Sequence, residues 1–410
     1  MPINNEKVDV LVIGAGPSGS ASAAIVHREG LSVKVVEKTV FPRFVIGESL
    51  LPRCMDHLEA MGVLEAVAQH GFQKKIGATF RRGKSICRFE FAQQYSSSWD
   101  WTWQVPRAQF DKVVADEVEA QGVDYEYACS VVAVEFQGSA SITTVCDSAG
   151  NEKKIEAKFV IDASGYGRVL PRLLNLDKPS TFPCRSSVFT HVTELEAGER
   201  VDRERITVIS QTQEVWIWVI PFSNGRTSIG YTGSSAYFDQ FEGDTNEILV
   251  QLINSNDYMK ERFSSSSFAF DARRIDAYAT DISKLHGEGF VLTGNCGEFL
   301  DPIFSSGVTL ALESGVLAAS LVARQLKGET IDWERQYAQY MSSGIDVFRT
   351  YVESWYEGTL QDIFYGDIQE GSVKSQITSI LAGHVWDENN PMISKTQEFL
   401  RALSKLMASS

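Results

Sequence analysis

The sequence is poor in the residues that build metal centres and disulfide scaffolds. Its 410 residues include six cysteines and six histidines. Cys54, Cys87, Cys129, Cys146, Cys184 and Cys296 are scattered. None forms C-x-x-C or sits at zinc spacing with a histidine, and there is no H-E-x-x-H. No metal ligand set is expected, and the cysteines read as reduced thiols of a cytoplasmic protein. Positive charge is scarce too. Lys and Arg number 38 against 53 Asp and Glu, a net charge of −15. That balance argues against a nucleic-acid partner, because affinity there comes mostly from neutralising phosphates. The start, MPINNEKVDV, lacks the basic and apolar regions of a signal peptide. No apolar run reads as reaching the roughly 18 residues of a membrane span, so no membrane partner is expected.

Apolar residues are plentiful, at 43%. A chain of this length makes about two or three domains with a sizeable core. Val8 to Ile13 is a short apolar run ended by a glycine turn, the pattern of a buried parallel strand. The alanine-rich stretch Ser18 to Glu29 has helical spacing, and Gly30 ends it. Ser32 to Glu37 is a second strand, completing a β-α-β unit. Further strands are expected at 130–136, 141–145, 155–162 and 290–293. A hairpin with an Asn-Gly turn is expected over 215–231. A buried helix is expected over 307–325, with a helical, aromatic tail after Trp333.

Gly14-Ala15-Gly16-Pro17-Ser18-Gly19 is G-x-G-x-x-G. Alone the motif says little. Here it follows a strand, opens a helix and has an acid, Glu37, at the end of the next strand. Gly14 permits the turn, Gly16 lets the backbone approach a pyrophosphate, and Gly19 lets helix and strand pack closely. The pyrophosphate sits at the helix N-terminus, and Glu37 is placed to accept from a ribose diol. FAD and NAD both fit this fingerprint.

Later segments separate them. Phe41-Pro42-Arg43 leads to Gly47-Glu48-Ser49. Val105-Pro106-Arg107 precedes a helix carrying Asp111. Asp162-Ala163-Ser164-Gly165 ends a strand. At these points the chain resembles the flavoprotein monooxygenase superfamily. The resemblance implies an α/β fold: a Rossmann-like FAD-binding domain of the monooxygenase type, an inserted β-rich domain and a helical C-terminal region. The expected FAD-binding pieces are 1–75, 105–180 and 270–330, with 76–104 and 181–269 inserted and 331–410 helical. It implies a flavin lined by Lys38, Arg43, Gly47, Glu48, Ser49, Arg107 and Asp162 besides the fingerprint. The late G-D pair of such enzymes reads Gly294-Asn295 here, keeping the hydrogen bonding without the charge.

Trp216-Ile217-Trp218-Val219-Ile220-Pro221 is W-x-W-x-I-P. Two tryptophans two apart on a strand face one side, commonly a sheet core. The whole match resembles a signature of flavin-dependent halogenases, where such tryptophans keep organic substrate from the flavin. The segment Phe72 to Phe80 resembles the one holding the family's catalytic lysine. Phe80, five residues on, favours Lys75 over Lys74. Asp301-Pro302-Ile303-Phe304-Ser305-Ser306-Gly307-Val308 resembles the loop that binds halide, at Ser306 and Gly307, beside the flavin. Asp301, Pro302, Gly307 and Val308 then also contact cofactor. Phe304 stands where tryptophan halogenases carry a glutamate, which points away from tryptophan as substrate.

The stretches 99–107, 162–168, 215–224 and 355–360 look most like halogenases of carrier-bound pyrrole. The resemblance implies that FADH2 and O2 oxidise chloride or bromide to hypohalous acid, which passes the tryptophans to Lys75. Expected partners are an acyl or peptidyl carrier protein and a separate flavin reductase, since no second G-x-G-x-x-G appears. A homodimer is compatible with the sequence. An acidic carrier needs a local basic patch, and 74–84 (Lys74, Arg81, Arg82, Lys84) and Arg273 with Arg274 are candidates. A free phenol as acceptor, an FAD-dependent aromatic hydroxylase and a non-catalytic FAD-fold escort remain alternatives.

Overall fold

A computed structural model describes residues 6–180, 182, 183, 185–194, 202–276, 281–298, 300–366 and 371–408. Cys184 lies outside the described residues, and the other five cysteines are free thiols.

The strand Glu6–Ile13 runs parallel between Val33–Val36 and Glu152–Asp162. Phe290–Leu292 extends the parallel set on one side and Asp124–Glu126 on the other. Both faces of the first strand are covered, which is why it reads as an unbroken apolar run. Val10 and Val12 join a core with Ala21, Ala24 and Val322. Leu11 and Ile13 join a separate core with Val145, Leu170 and Phe290 on the opposite face.

The helix Pro17–Arg28 lies against the helix Ser306–Leu326. Small residues allow the approach: a Cβ on Gly315 would stand 2.5 Å from the Ser18 carbonyl oxygen. Ser22 Oγ donates to the Gly315 carbonyl at 3.2 Å. Helix Ser306–Leu326 corrects one expectation. By length and composition it could cross a membrane, with mean hydropathy 1.5. That stretch is 78% buried inside the protein, so its apolarity is used against neighbouring elements.

A second sheet runs in the order Ser267–Phe268, Ser186–Thr193, Arg226–Gly233, Trp216–Pro221, Arg205–Ser210, Gly77–Arg82, Ser85–Glu90. The expected hairpin joins Trp216–Pro221 to Arg226–Gly233, with Gly225 at φ 87° in its turn. The two faces of this sheet are divided by residue parity. Ile217 and Val219 pack under the helices Thr245–Asn254 and Asp257–Phe263. Trp216, Trp218 and Ile220 face the main core. A short antiparallel pair, Gln73–Lys75 with Thr102–Gln104, bridges the two sheets' territories. The chain closes with the helices Tyr340–Tyr356, Thr359–Tyr365, Ser372–Leu381 and Thr396–Ala408.

Candidate active site

At the nucleotide end two of the fingerprint glycines, Gly14 and Gly19, have no room for a side chain. Gly14 adopts φ 98°, and a Cβ there would meet the Ala163 carbonyl oxygen at 2.6 Å. Gly16 precedes the helix and supplies no side-chain cap, nor does the first turn contain an acid. The first-turn N–H groups are thus left for an anion. Glu37 reaches back to the turn: its Oε2 accepts from the Ala15 amide at 2.9 Å. Ser18 Oγ is buried with no hydrogen-bond partner. An unpaired hydroxyl beside an uncapped helix start fits a cofactor's polar groups.

Arg43, Gly47 and Arg107 form the next shell outward. Arg107 grips Asp111 through Nε at 2.7 Å and Nη2 at 3.0 Å. Its Nη1 donates to the carbonyls of Ile46 and Gly47 at 3.1 and 3.3 Å. Arg43 Nη1 shares Asp111 at 3.0 Å, and Arg43 Nη2 would lie 3.5 Å from a Cβ on Gly16. Gly47, at φ 106°, sits between Arg107 and Val308. The guanidinium therefore shapes the Gly47 turn where the fingerprint and the 301–308 loop approach. Glu48 is buried. Its Oε1 meets His191 Nε2 at 2.7 Å, and its Oε2 has no partner.

Lys75 is 1% exposed. Alternation along its strand buries Gln73 and Lys75 and leaves Lys74 outside. Lys75 Nζ donates to Ser49 Oγ at 2.8 Å and to the Leu50 carbonyl at 2.7 Å. Burial drives its pKa down to about 7, opposed by Cys54. A lysine at that pKa offers both an ammonium donor and a free amine near neutrality. Ser49 also bridges to Gln104, whose Nε2 donates to the Pro221 carbonyl at 2.6 Å. The Gly47-Glu48-Ser49 turn, Lys75 and the end of the tryptophan strand are thus one hydrogen-bonded unit.

The tryptophans reach the 301–308 loop through Tyr356. Trp216 Nε1 donates to Tyr356 Oη at 2.9 Å, and Tyr356 Oη donates to Asp301 Oδ2 at 2.9 Å. Asp301 Oδ1 accepts from the Ile303 amide at 3.0 Å. Burial raises the Asp301 carboxyl to about 6, with the Tyr356 hydrogen bond opposing. Ser305 takes a left-handed conformation, φ 58°, and Ser306 then opens the long helix without a side-chain cap or first-turn acid. Phe304 is wedged edge-on against Tyr351 and Trp355. Trp218 donates Nε1 to Ser228 Oγ at 3.0 Å and lies over Gly230, where a Cβ would come within 2.2 Å of its ring.

Some expected residues are placed differently. Asp162 spends both oxygens on the amides of Ser164 and Leu170, so it organises its own loop. Asn295 hydrogen-bonds Tyr166, and Lys38 is exposed beyond Glu37. Pro302 starts the short turn Pro302–Phe304. His191, Gln104, Gly230 and Tyr356 escaped sequence reasoning. A glycine inside a strand pattern was the available signal for Gly230.

Residues 7–289 match the family model described as FAD binding domain. Among solved structures, the flavoprotein/dehydrogenase from Cytophaga hutchinsonii is 51% identical with TM-score 0.97, covering 98% of this chain and 99% of that one. The 1H-pyrrole-2-carbonyl-[peptidyl-carrier protein] chlorinase of Pseudomonas fluorescens is 24% identical, over 98% of this chain and 95% of its own. The tryptophan 2-halogenase of Chondromyces crocatus is 29% identical over 78% of this chain and 62% of its own. The chain belongs to the FAD-binding domain family.

Proposed function

We propose that this enzyme halogenates an electron-rich heteroaromatic ring, a pyrrole held as a thioester on an acyl or peptidyl carrier protein, using FADH2, O2 and chloride or bromide. The observation that carries the reading is Lys75: a fully buried amine with pKa near 7, tied to the Gly47-Glu48-Ser49 turn on one side and the tryptophan strand on the other. The near full-length match to the pyrrolyl chlorinase supports a short chain of this substrate class. Phe304, in place of the glutamate expected for tryptophan as substrate, supports it too.

Gly14, Gly16, Gly19, Ser18 and Glu37 hold the nucleotide, and Gly47, Glu48, Arg107 and Val308 the flavin. Reduced flavin, when bound, supplies with O2 the oxidising equivalents that convert halide to hypohalous acid. The Ser306 and Gly307 amides, at the uncapped helix start, hold the halide. Trp216, tied to that loop through Tyr356, and Trp218 beside it keep ring substrates away. As an ammonium, Lys75 donates to the oxygen of hypohalous acid and leaves the halogen electrophilic. As a free amine, it takes the halogen onto Nζ and releases water. The substrate ring then attacks the halogen and loses a proton.

Incubation with a flavin reductase, either halide, pyrrolyl-carrier protein and free phenols tests this by mass spectrometry. Halogenated pyrrolyl thioester is the expected product. A halide-independent hydroxylated product would replace the reading with an aromatic hydroxylase. Rapid FAD reduction by NADPH with this protein alone would remove the separate reductase. Tyr356→Phe, which breaks the link from Trp216 to Asp301, should raise the halide KM about tenfold, the worth of one lost hydrogen bond to a charged group. Reduced-flavin oxidation should continue, seen as peroxide released without product. An unchanged halide KM would separate Tyr356 from the loop's function.

A further inference from the structure

The two basic clusters expected from the sequence differ once their partners are known. Arg274 is neutralised by Asp239 and Asp276, both at 2.9 Å. Arg273 lies over the rings of Phe44 and Phe270. Lys74 belongs to a separate strand pair, with Nζ 5.0 Å over Trp101. The hairpin Gly77–Arg82 with Ser85–Glu90 is different. Ser85–Glu90 ends the sheet order, so its outer edge pairs with no strand among the described residues.

The hairpin carries Arg81, Arg82, Lys84 and Arg88, with Arg81 and Arg88 on the face of Ile86. Arg82 is 46% exposed, Arg88 50% and Ile86 44%. Arg81 lies over Tyr258 on one face of the sheet and Arg82 over Tyr365 on the other, with Cζ 4.3 and 4.6 Å from the ring centroids. Of the nearby acids, Asp362 is 3.5 Å from Arg82 and Asp202 3.8 Å from Arg88, long contacts that leave positive charge in excess. In a chain of net charge −15, an exposed edge with this many cations and an apolar centre is a directed surface.

Its position relative to Lys75 matters as much as its charge. Ile86 stands opposite Arg81 and Arg88 opposite Thr79. Thr79 and Arg81 follow Lys75 closely in sequence, so at strand rise their Cα atoms lie at most roughly 13 and 20 Å from that of Lys75. An extended thioester arm covers that span while its carrier stays outside.

We infer that the 77–90 hairpin is the docking surface for an acidic carrier protein that presents its thioester to Lys75. The inference rests on the carrier-bound substrate proposed above. The charges steer encounter and set register, and Ile86 supplies the apolar contact.

The test compares Lys84→Glu/Arg88→Glu with a remote control, Lys178→Glu/Arg335→Glu, after matching melting temperatures. Affinity for pyrrolyl-carrier protein is read by fluorescence anisotropy at low and high salt. Turnover is read on carrier-bound pyrrole and on the same pyrrolyl thioester of free pantetheine. The hairpin variant should lose at least tenfold in carrier affinity and raise the carrier KM equally. Its turnover of the pantetheine thioester should stay within twofold of wild type, and the control should behave as wild type throughout. Wild-type carrier affinity in the hairpin variant overturns the docking surface and leaves the substrate reading standing. A wild-type enzyme that neither binds nor halogenates carrier-bound pyrrole but halogenates a free phenol overturns the substrate reading, and the docking surface with it.

Discussion

Lys75→Ala lowers halogenation at least about a thousandfold, within the range a positioned proton donor contributes, while reduced flavin is still consumed by O2. The side chain is wholly enclosed, and its donors go to Ser49 and Leu50, so no solvent cation replaces it. Product by mass spectrometry and flavin absorbance in stopped flow separate the two activities. An alanine enzyme with wild-type product formation removes Lys75 from the chemistry. The pH profile then assigns its form. With a pKa near 7, a working ammonium makes the rate fall as pH rises through 7, and a working amine makes it climb. Stability has its own sign. The unfolded lysine holds its proton up to its ordinary pKa of 10.5, and the folded one releases it near 7. Between these values the unfolded state binds more protons, so stability rises with pH across that window. The change is on the order of 5 kcal/mol. Lys75→Met should flatten that slope in denaturant titrations from pH 6 to 10.

Gly19→Ala removes FAD binding and destabilises the fold by about 3 kcal/mol or more. The new Cβ would lie 1.8 Å from the Gly14 carbonyl oxygen and 2.9 Å from its carbon. Both are backbone atoms, so the conflict is relieved only by lifting the helix Pro17–Arg28 from its strand. That movement carries away the amides that face the pyrophosphate. Gly30→Ala is the matched control. Gly30 has φ 79° but nothing within 4 Å of a built Cβ, so the cost is conformational strain of about 1 kcal/mol, with flavin affinity retained. Flavin fluorescence on dialysis and thermal melts report both variants. Full FAD occupancy in Gly19→Ala would contradict the packing account.

These two sites were readable from sequence because each is local. The fingerprint strand, predicted over Val8 to Ile13, spans Glu6–Ile13, and its helix runs Pro17–Arg28. The apolar run and the glycine turn encode both boundaries within a few residues. The spacing to Phe80 likewise favours Lys75 over Lys74, and two-residue alternation puts Trp216 and Trp218 on one face. What escaped is non-local. Glu48 meets His191 only because the fold brings the 47–49 turn to the strand Ser186–Thr193, and no spacing in the chain encodes that distance. Tyr356 links a strand to a loop from a third element. Gly230 is explained by the ring of Trp218 on the neighbouring strand, a matter of register. The helix Ser306–Leu326 was expected as a buried element, but its membrane-like composition became visible only when measured along its full length.

The hydrogen bond from Lys75 to Ser49 has a thermodynamic consequence. Ser49 closes the turn that begins at Gly47, which lies against Arg107 and Val308. Any shift of that turn when flavin seats alters the proton affinity of Lys75. Linkage is reciprocal, so the protonation of Lys75 must alter flavin affinity by the same factor. Loading of the cofactor and arming of the lysine are then a single coupled equilibrium, and the ambient proton concentration sets how far each completes the other.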